Sequence, residues 1–464
     1  MRHGTRPARA GTRIRASIRI VRTLRRVGIV AGSLVLVIVV ALTGVYLWQG
    51  PLLLTGTGYA AHNACAVTQL AGRENPASDL PPNPLVPYLA VAEGEVTTAS
   101  VLGVGTPQQA RHTEGFGCTL ASGPLDLGAA TPVGSAGNPL ADAAVAPNPE
   151  VEAAIGRVFA DGEPDEVVEL IGTRGVVVVK DGVIVGERYA PGFDADTPQL
   201  GWSMSKSVAS LMTGMLVKQG VVSLDDDHLR PEWTDERASI TVENLLRMDA
   251  GLEWDETYDL GTAITRMLYL EPDMGAYVAG LPLAHGVGEV QQYSSGSTNV
   301  LCSVLAERTG LGADLPRQTI FPALGLSSAV WEPDAAGTPV CSSYLWATPR
   351  DWAAVGQFAL QGGEWDGEQL LPEDWMEQSL MLSGYAESDD PGYGMGWRTN
   401  VLPDGSLRWP SLPADAFSAN GHDGQLMLVI PSEGLVVVRL GFTPEASASD
   451  LVVDLARDAI AALG

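Results

Sequence analysis

The apolar positions that follow residue 150 predict both strands and helices. Apolar runs at 176–180 and 183–189 flank Asp181-Gly182, and an Asp-Gly pair readily supplies the positive φ angles of a hairpin turn. The stretch that ends at Gly220 has apolar residues at i, i+3, i+4, i+7 and i+8, a spacing that places them on one face of a helix. These residues are Val208, Leu211, Met212, Met215 and Leu216.

A second hairpin is predicted near the C-terminus, where residues 425–430 and 435–440 flank a turn at 431–434. Both runs are almost continuously apolar, as in strands whose sheet is covered on both faces. A last helix is predicted at about 447–463. This order of elements predicts an α+β fold, in which one antiparallel sheet flanked by helices is closed from both ends of the chain and a helical region lies in the middle.

Residues 27–48 form an uncharged apolar stretch of 22 residues, which is long enough to cross a bilayer. Nine arginines and no acidic residue precede it, which predicts a cytoplasmic N-terminus. The alternative is a cleaved signal peptide with Ala60-Ala61 at the cleavage site, although the apolar core of such a peptide is usually shorter. We expect a single-pass membrane anchor, with the bulk of the chain outside the cytoplasm.

The chain of 464 residues carries 28 basic and 55 acidic residues. Because nine of the basic residues lie in residues 1–26, the remainder has 19 basic residues and a net charge of −36. A body of this charge repels nucleic acid, so no nucleic-acid partner is expected.

The length exceeds one ordinary domain, and composition suggests where the chain divides. Residues 122–149 are rich in Ala, Gly and Pro and are typical of a linker. We therefore predict a basic tail at 1–26, an anchor at 27–48, a small module at 49–121, the linker, and a main domain at 150–464.

Four cysteines lie beyond the apolar stretch, where disulfides can form. Cys65 and Cys118 both fall in the small module and are the natural pair. Cys302 lies in an apolar helical run, where the sequence allows either a buried free thiol or a disulfide bridge to Cys341. The chain has no CxxC and no His/Cys cluster, so we expect no metal site, and nothing points to a cofactor.

Ser203 and Lys206 are the strongest candidates for chemistry. Ser203 falls where a helix begins, and residues at i and i+3 are neighbours on a helix surface, so the amine can reach the hydroxyl. A serine hydroxyl becomes a nucleophile when a base removes its proton, and a buried lysine can be that base. The alternative is a surface lysine beside a capping serine.

Two further motifs are candidates for roles in proton transfer and in substrate binding. Tyr293 precedes a predicted helix at 299–308 and could relay a proton, or it could simply pack at the helix start. Gly421-His422-Asp423-Gly424 leads into the last hairpin, where glycines allow a close approach to the strand edge. The N–H of Gln425 could complete an oxyanion hole with the N–H of Ser203. Alone, His422 is more simply a structural residue.

The order of SxxK (203–206), YxS (293–295) and HxG (422–424) resembles the serine β-lactamase-like superfamily of penicillin-recognising enzymes. The resemblance covers roughly residues 165–464 and is strongest for the branch of 6-aminohexanoate-dimer hydrolases and class C-like esterases. The segments that also carry it are ITVENLLRMDAGLEWDE (240–256), SSYLWATPRDWAAVGQFALQGGEWDGEQLL (342–371), YGMGWR (393–398) and GHDGQLMLVIPSEGLVVVRLG (421–441). The region around Cys65 and Cys118 is similar to an appendage of that branch.

The resemblance implies a β-lactamase/transpeptidase-like fold, catalysis by Ser203, Lys206 and Tyr293, and substrate contacts by Ser295, His422 and Gly424. Penicillin-active members usually have Asn where this chain has Ser295, and Lys where it has His422. That lysine helps to bind the carboxylate of a β-lactam. We therefore expect esters and small amides to be better substrates, with cleavage of anionic substrates rising towards pH 6 as His422 gains a proton.

The sequence thus predicts a membrane-anchored, extracytoplasmic serine hydrolase that cleaves small amides or esters through an acyl-enzyme. A D-alanyl peptidase or β-lactamase that acts on cell-wall substrates is the alternative within enzymes. An inactive cell-wall-binding protein that keeps the fold is the alternative of another class.

Overall fold

The computed structural model describes residue 1, residues 10–385 and residues 387–464. The chain divides into two units, Met1–Leu53 and Leu54–Gly464. In the first unit, the described side chains of the apolar stretch 27–48 are exposed. Within the N-terminal helix, the part from Arg22 to Gln69 is long and apolar enough to cross a membrane, by length and composition alone.

The α-helices of the described residues are α1 Ala10–Gln69, α2 Pro149–Val158, α3 Asp165–Ile171, α4 Met204–Lys218, α5 Val242–Arg247, α6 Ala263–Leu270, α7 Met274–Ala279, α8 Ser295–Thr309, α9 Leu315–Gln318, α10 Ile320–Leu324, α11 Pro349–Leu360, α12 Trp375–Leu380 and α13 Ser449–Leu463. Short 3₁₀ helices are at Pro76–Asp79, Val86–Tyr88, Glu236–Ser239, Gly312–Asp314, His422–Gly424 and Pro431–Glu433.

The strands are β1 Leu89–Ala92, β2 Val96–Val101, β3 Gly105–Thr113, β4 Gly117–Leu120, β5 Thr173–Lys180, β6 Val183–Tyr189, β7 Gln199–Leu200, β8 Val290–Gln291, β9 Val330–Trp331, β10 Leu345–Ala347, β11 Glu364–Trp365, β12 Glu368–Gln369, β13 Glu387–Ser388, β14 Arg398–Thr399, β15 Phe417–Asn420, β16 Leu426–Ile430 and β17 Leu435–Gly441.

The main sheet has six antiparallel strands in the order β14-β15-β16-β17-β5-β6. Strand β17 pairs with β5, with Val438 opposite Val177, so the C-terminal hairpin and the hairpin near residue 180 share one sheet. Asp181 and Gly182 both have positive φ angles, as the Asp-Gly turn predicts. The predicted closure of the sheet from both ends of the chain is confirmed.

Both faces of this sheet are buried, which explains its continuous apolar runs. Side chains alternate across a strand, so Val177 and Val438 belong to the core that also contains Trp352 of α11. Val176 and Val437 point to the opposite face, in a second core with α2 and α13. The sheet is therefore the middle layer between helices, and the helical region follows β6 in the chain.

The residues before 122 add a second sheet, β1-β2-β3-β4, antiparallel throughout. A disulfide joins Cys65 in α1 to Cys118 in β4. A second disulfide joins Cys302 to Cys341, so of the two possibilities for Cys302 the structure has the bridge.

The predicted boundaries near 121 and 149 do not divide residues 54–464 into separate compact units. Fully buried Glu332 of the body accepts a hydrogen bond at 2.7 Å from the N–H of Cys118. In the linker-like stretch, Asn138 donates to Asp351 at 2.7 Å and Leu140 is buried in the main core. Composition identified a stretch without regular structure, but buried polar contacts and Leu140 fix it to the body.

Candidate active site

Ser203 and Lys206 lie at the start of α4, a buried helix in the main core. Ser203 is the residue before the helix and is half-buried, and Lys206 is one turn further on and only 2% exposed. The one-turn spacing brings Lys206 Nζ to 2.8 Å from Ser203 Oγ. The two side chains that the SxxK spacing predicts to meet are therefore in hydrogen-bonding contact.

The backbone immediately before Ser203 adopts an uncommon conformation. Trp202 has φ +49°, a left-handed value that costs free energy for a large side chain and persists only when its surroundings enforce it. Ser205 Oγ donates to the Trp202 carbonyl at 2.6 Å, and this carbonyl is thereby held in the turn. The turn that presents Ser203 is thus fixed from within α4.

Lys206 Nζ has two neighbours besides Ser203. It lies 2.8 Å from Ser295 Oγ and 3.0 Å from the carbonyl oxygen of Ser342. The carbonyl can only accept a hydrogen bond. If Ser295 also accepts, a neutral amine donates two hydrogen bonds to these groups and its lone pair faces the Ser203 hydroxyl.

Glu256 fixes the role of Ser295 as an acceptor. Ser295 Oγ donates to Glu256 Oε1 at 2.6 Å, so its hydrogen is not available to Lys206. Glu256 Oε2 accepts from the N–H of Ser295 at 2.9 Å and from Trp254 Nε1 at 2.5 Å. Both carboxylate oxygens are therefore engaged, and a chain of hydrogen bonds runs from Glu256 through Ser295 and Lys206 to Ser203.

The ring of Tyr293 lies against the side chains of Lys206 and Arg398. Lys206 Nζ and Arg398 Cζ are each 4.9 Å from the centre of its ring. Burial alone would lower the pKa of Arg398, but Tyr293 and Asp390 raise that pKa above its usual value, so the guanidinium keeps its charge. The ring of Tyr293 thus lies beside both the candidate base and a permanent cation, a position compatible with proton transfer.

The N–H groups of Ser203 and Gln425 donate to no protein acceptor within the described part of the chain. The carbonyl of Gly424 accepts from Arg439 Nη1 at 2.8 Å. Because a trans peptide directs its C=O and N–H to opposite sides, this contact turns the N–H of Gln425 away from Arg439. Both N–H groups predicted for an oxyanion hole are thus unoccupied by other protein groups.

Gly421 and Gly424 are required by packing. A Cβ on Gly421 would lie 2.1 Å from the carbonyl oxygen of Gly201, so only glycine lets this loop approach the turn before Ser203. Gly424 has φ +84°, and a Cβ there would lie 2.7 Å from Arg439 Nη1. The predicted contact of Gly424 with substrate stays a prediction.

His422 is part of an aromatic wall beside Trp202. Its ring stacks on Tyr258 at 4.0 Å and meets the edge of Trp202 at 5.4 Å. Burial lowers the pKa of His422 to about 4, although Glu256 acts in the opposite direction. This lowered pKa opposes the expected protonation near pH 6, because packing against Tyr258 and Trp202 removes part of the hydration that stabilises the imidazolium, although a third of the side chain stays exposed. The pH dependence of cleavage stays a prediction.

Asp423 is a buried acid whose carboxylate has no hydrogen-bond donor among the described residues. Burial raises its pKa to about 7; Arg174 counteracts this and Asp79 adds to it. Its Oδ1 lies 3.3 Å from His422 Nε2, without the geometry of a hydrogen bond. Because burial disfavours both charged forms, the pair is mostly uncharged between about pH 4 and pH 7.

Replacement of Asp423 with asparagine is expected to stabilise the protein at pH 8. The pKa of the folded state is raised above the ordinary 3.8, so the stabilisation by protonated Asp423 is complete below about pH 4 and is lost as pH rises towards 7. Asparagine avoids this loss and tolerates the φ of +57°. We expect a gain of up to about 4 kcal/mol at pH 8 and little at pH 4, measured by urea unfolding.

Asp366→Asn is the matched control, because Asp366 also has a positive φ of 50° but is exposed. It should change stability by less than about 0.5 kcal/mol at either pH. If the D423N protein is no more stable than the parent at pH 8, the charged carboxylate of Asp423 does not destabilise the folded protein.

Reasoning from the sequence missed Glu256, Arg398 and the Ser342 carbonyl. Glu256 and Arg398 are the last residues of two segments that resemble the superfamily, which was the available signal, but neither has a motif spacing to Ser203. A backbone carbonyl carries no sequence signal at all. Among the described residues, no group of three or more His, Cys, Asp or Glu could hold a metal ion.

The fold and the SxxK pair define a serine hydrolase with a β-lactamase/transpeptidase-like fold. The chain belongs to the Beta-lactamase family, whose sequence profile matches residues 166–459. The resemblance inferred from the motifs is therefore confirmed.

Individual relatives agree with this assignment. The 6-aminohexanoate-dimer hydrolase of Paenarthrobacter ureafaciens is 25% identical over 295 residues, which cover 59% of this chain and 73% of the relative. The structure of a proposed 6-aminohexanoate-dimer hydrolase from Bacillus anthracis matches with TM-score 0.58 and 22% identity, over 70% of this chain and 89% of that one. EstA from Arthrobacter nitroguajacolicus Rue61a matches with TM-score 0.52 and 18% identity, over 70% and 99%. These solved structures share the fold.

Proposed function

We propose that the protein hydrolyses small esters or amides through a covalent acyl-enzyme on Ser203. The observation that carries the proposal is the set of contacts made by Lys206 Nζ. Lys206 Nζ donates to Ser203 Oγ, Ser295 Oγ and the Ser342 carbonyl oxygen. In the neutral amine that the proposed reaction needs, Ser295 and the Ser342 carbonyl keep their two hydrogen atoms, and the lone pair is left for the hydroxyl of Ser203. The name of one similar protein, a 6-aminohexanoate-dimer hydrolase, supports a hydrolytic reaction.

In acylation, Lys206 takes the proton of Ser203 as Oγ attacks the substrate carbonyl carbon. The carbonyl oxygen becomes an oxyanion that accepts hydrogen bonds from the N–H groups of Ser203 and Gln425. The intermediate then collapses, the bond to the leaving group breaks, and that group takes a proton from Tyr293, which regains one from Lys206. The product of this half-reaction is an ester of Ser203 and a free alcohol or amine.

In deacylation, water attacks the ester carbon of the acyl-enzyme. Tyr293 and Lys206 together accept the proton of this water and return one to Ser203 Oγ as it leaves. The carboxylic acid is released and the resting enzyme is restored. The positive charge of Arg398 beside Tyr293 favours the phenolate that forms transiently in both steps.

Uncharged substrates should be preferred over anionic β-lactams. His422 stands where penicillin-active relatives have a lysine, and its pKa of about 4 leaves it neutral at physiological pH. The body beyond the N-terminal arginines, with a net charge of −36, further repels anions within about a Debye length, ~8 Å. No cation at position 422 is thus available to hold a substrate carboxylate.

The test is a substrate panel with the full-length protein in detergent. We expect p-nitrophenyl acetate and short N-acyl anilides to be turned over with kcat/KM at least about 100-fold above that of a chromogenic cephalosporin, since an unpaired carboxylate costs several kcal/mol at such a site. A cephalosporin hydrolysed as fast as the best ester would favour the β-lactamase alternative. Absence of turnover and of fluorophosphonate labelling would favour an inactive binding protein.

We also propose that the protein is anchored in the cell membrane by residues 27–48, with its catalytic unit outside the cytoplasm. The exposed apolar side chains of this stretch, the basic residues before it and the disulfides Cys65–Cys118 and Cys302–Cys341 support this placement. Protease added to intact cells should degrade the catalytic unit and leave a membrane-bound N-terminal fragment. A soluble product that begins near residue 61 would instead indicate a cleaved signal peptide.

Glu256→Gln is expected to lower kcat about 100-fold while KM changes little. In either orientation the NH₂ group of the amide meets a donor, which is the Ser295 hydroxyl or the N–H groups of Ser295 and Trp254. The contact that fixes the Ser295 hydrogen is then lost or displaced, and the lone pair of the Lys206 amine is misdirected. Steady-state kinetics of Glu256→Gln, Ser295→Ala and the double variant measure this coupling. Because both substitutions disrupt the same hydrogen bond between Glu256 and Ser295, the double variant should be no slower than the slower single variant. Additive losses would contradict the relay.

A further inference from the structure

One end of the small sheet β1-β2-β3-β4 exposes a group of apolar side chains. In the turn between β2 and β3, Leu102 is 70% and Val104 is 88% exposed. Among the described residues of Leu54–Gly464, no other large apolar side chain is as exposed as these two. Tyr88 is 56% exposed, and its carbonyl accepts a hydrogen bond from the N–H of Leu102. We call Tyr88, Leu102 and Val104 the apolar end.

The opposite end of the same sheet is acidic. The turn between β1 and β2 contains Glu93 and Glu95, and the turn between β3 and β4 contains Glu114. Both turns are separated from Leu102 by the length of β2, which runs from one end of the sheet to the other. Glu93 and Glu95 are the only charged residues in the stretch 80–110, within a body that is otherwise strongly acidic. Charge and apolar surface are therefore segregated to the two ends of the sheet.

Neither the turn nor the core of the protein explains the leucine at position 102. The N–H of Val104 donates to the carbonyl of Val101 at 3.2 Å, and Leu102 and Gly103 have φ angles of +53° and +77°, as in a type I′ turn. Such a turn prefers Asn, Asp or Gly at the position of Leu102. Because the leucine is mostly exposed, it gains little from burial in the body. Its side chain suits an apolar environment outside the protein.

The first residues of the body within α1 lie at the apolar end. Thr57 Oγ1 donates to the carbonyl of Thr106 at 2.8 Å, next to the turn between β2 and β3. Eleven residues later, Thr68 Oγ1 donates to Glu93 Oε2 at 3.3 Å, at the acidic end. This part of α1 therefore runs along the sheet from the apolar end to the acidic end. The apolar stretch 27–48 ends nine residues before Thr57, so the chain that follows it joins the body at the apolar end.

We propose that the apolar end inserts into the headgroup region of the bilayer crossed by residues 27–48, so that the body is held against the membrane surface. The proposal rests on the membrane anchor proposed above. Apolar side chains gain transfer free energy in this region, and tyrosine is enriched there. An end without charge also lets a body of net charge −36 approach anionic lipids with less repulsion. The competing occupant of this patch is a second copy of the chain.

The test is the lipid contact of a fluorophore attached at the apolar end. All four native cysteines form disulfides, so one introduced cysteine is the only free thiol of the full-length protein. Leu102→Cys and Val104→Cys are labelled with nitrobenzoxadiazole and reconstituted into phosphatidylcholine–phosphatidylglycerol nanodiscs, with and without a doxyl-labelled phosphatidylcholine that quenches at short range. Val37→Cys, in the apolar stretch, is the positive control. Glu95→Cys, exposed at the acidic end of the same sheet, is the matched negative control.

The doxyl lipid should quench at least about half of the emission at residues 102 and 104, because interfacial apolar groups lie roughly 5–10 Å deep, and less than about a tenth at residue 95. If residue 37 is quenched but residues 102 and 104 are quenched no more than residue 95, the docking is wrong and the anchor stands. If residue 37 is not quenched either, the anchor is wrong as well. Emission at residue 102 that is shifted to the blue but not quenched would assign the patch to a second copy of the chain.

Leu102→Asn separates a role in the membrane contact from a role in the fold. Since asparagine is favoured at this turn position, the variant should unfold in detergent at the same temperature as the parent or at a higher one. In nanodiscs, with the fluorophore on Val104→Cys, it should lose at least about half of the quenching. Leu170→Asn, at an exposed leucine of α3, should leave the quenching unchanged. A Leu102→Asn variant that keeps the full quenching would contradict the proposed contact.

Discussion

Replacement of Ser203 with alanine is expected to abolish ester hydrolysis while the protein stays folded. The hydroxyl is the group to which the acyl chain becomes bonded in the proposed reaction, and no other side chain can take over that bond. Loss of a serine nucleophile typically costs on the order of 10⁶ in kcat. Ser203 caps no backbone N–H of α4 with its side chain, so its removal leaves the helix intact. The measurement is the initial rate with p-nitrophenyl acetate, together with the thermal unfolding temperature.

Ser210→Ala is the matched control for this variant. Ser210 lies on the same helix and is fully buried, but its hydroxyl makes no hydrogen bond among the described residues. The same chemical change there should leave the rate within about twofold. If S203A, purified free of contaminating esterase, retains more than about 1% of the rate, Ser203 is not the nucleophile.

Replacement of Lys206 with alanine is expected to be almost as damaging as replacement of Ser203. Nucleophile and base act as one unit, so the loss of either removes nearly the whole contribution of the pair. Lys206→Arg should not restore activity, because a guanidinium stays protonated and its planar fork does not fit among Ser203, Ser295 and the Ser342 carbonyl. Single-turnover kinetics with a p-nitrophenyl ester should show no acylation burst in either variant.

The control for the lysine variants lies three turns along the same helix. Lys218 donates to the Leu371 carbonyl at 3.1 Å near the surface, and Lys218→Arg keeps both charge and donor. It should behave as the parent protein does. An active Lys206→Arg variant would show that another group is the general base, and Tyr293 would be the first candidate.

Hairpins and the helix after Ser203 could be predicted because their signals are local. The Asp181-Gly182 turn and the apolar face of α4 are each contained within a few residues, so periodicity and turn chemistry are enough. The SxxK pair is local in the same sense, since one helical turn joins its members.

Glu256 and Arg398 could not be predicted in the same way because the fold brings them to the site from distant parts of the chain. Glu256 reaches Ser295 across 39 residues, and Arg398 reaches Tyr293 across a still longer stretch. The charge state of His422 was also beyond local reasoning, since its pKa depends on the burial of its ring against Tyr258 and Trp202. Residues 122–149, predicted from composition to be a linker, have no regular secondary structure up to α2, but composition alone could not predict that Leu140 packs into the main core.

Covalent trapping with a fluorophosphonate examines whether Ser203 is the residue that carries the acyl group. The protein is incubated with a fluorophosphonate, digested with trypsin and sequenced by tandem mass spectrometry. The peptide 189–206 contains both Ser203 and Ser205, so fragmentation must separate the two. We expect one phosphonyl group per chain, on Ser203, with labelling that slows when an ester substrate competes. An adduct on another residue, or an unlabelled protein that still hydrolyses the ester, would contradict it.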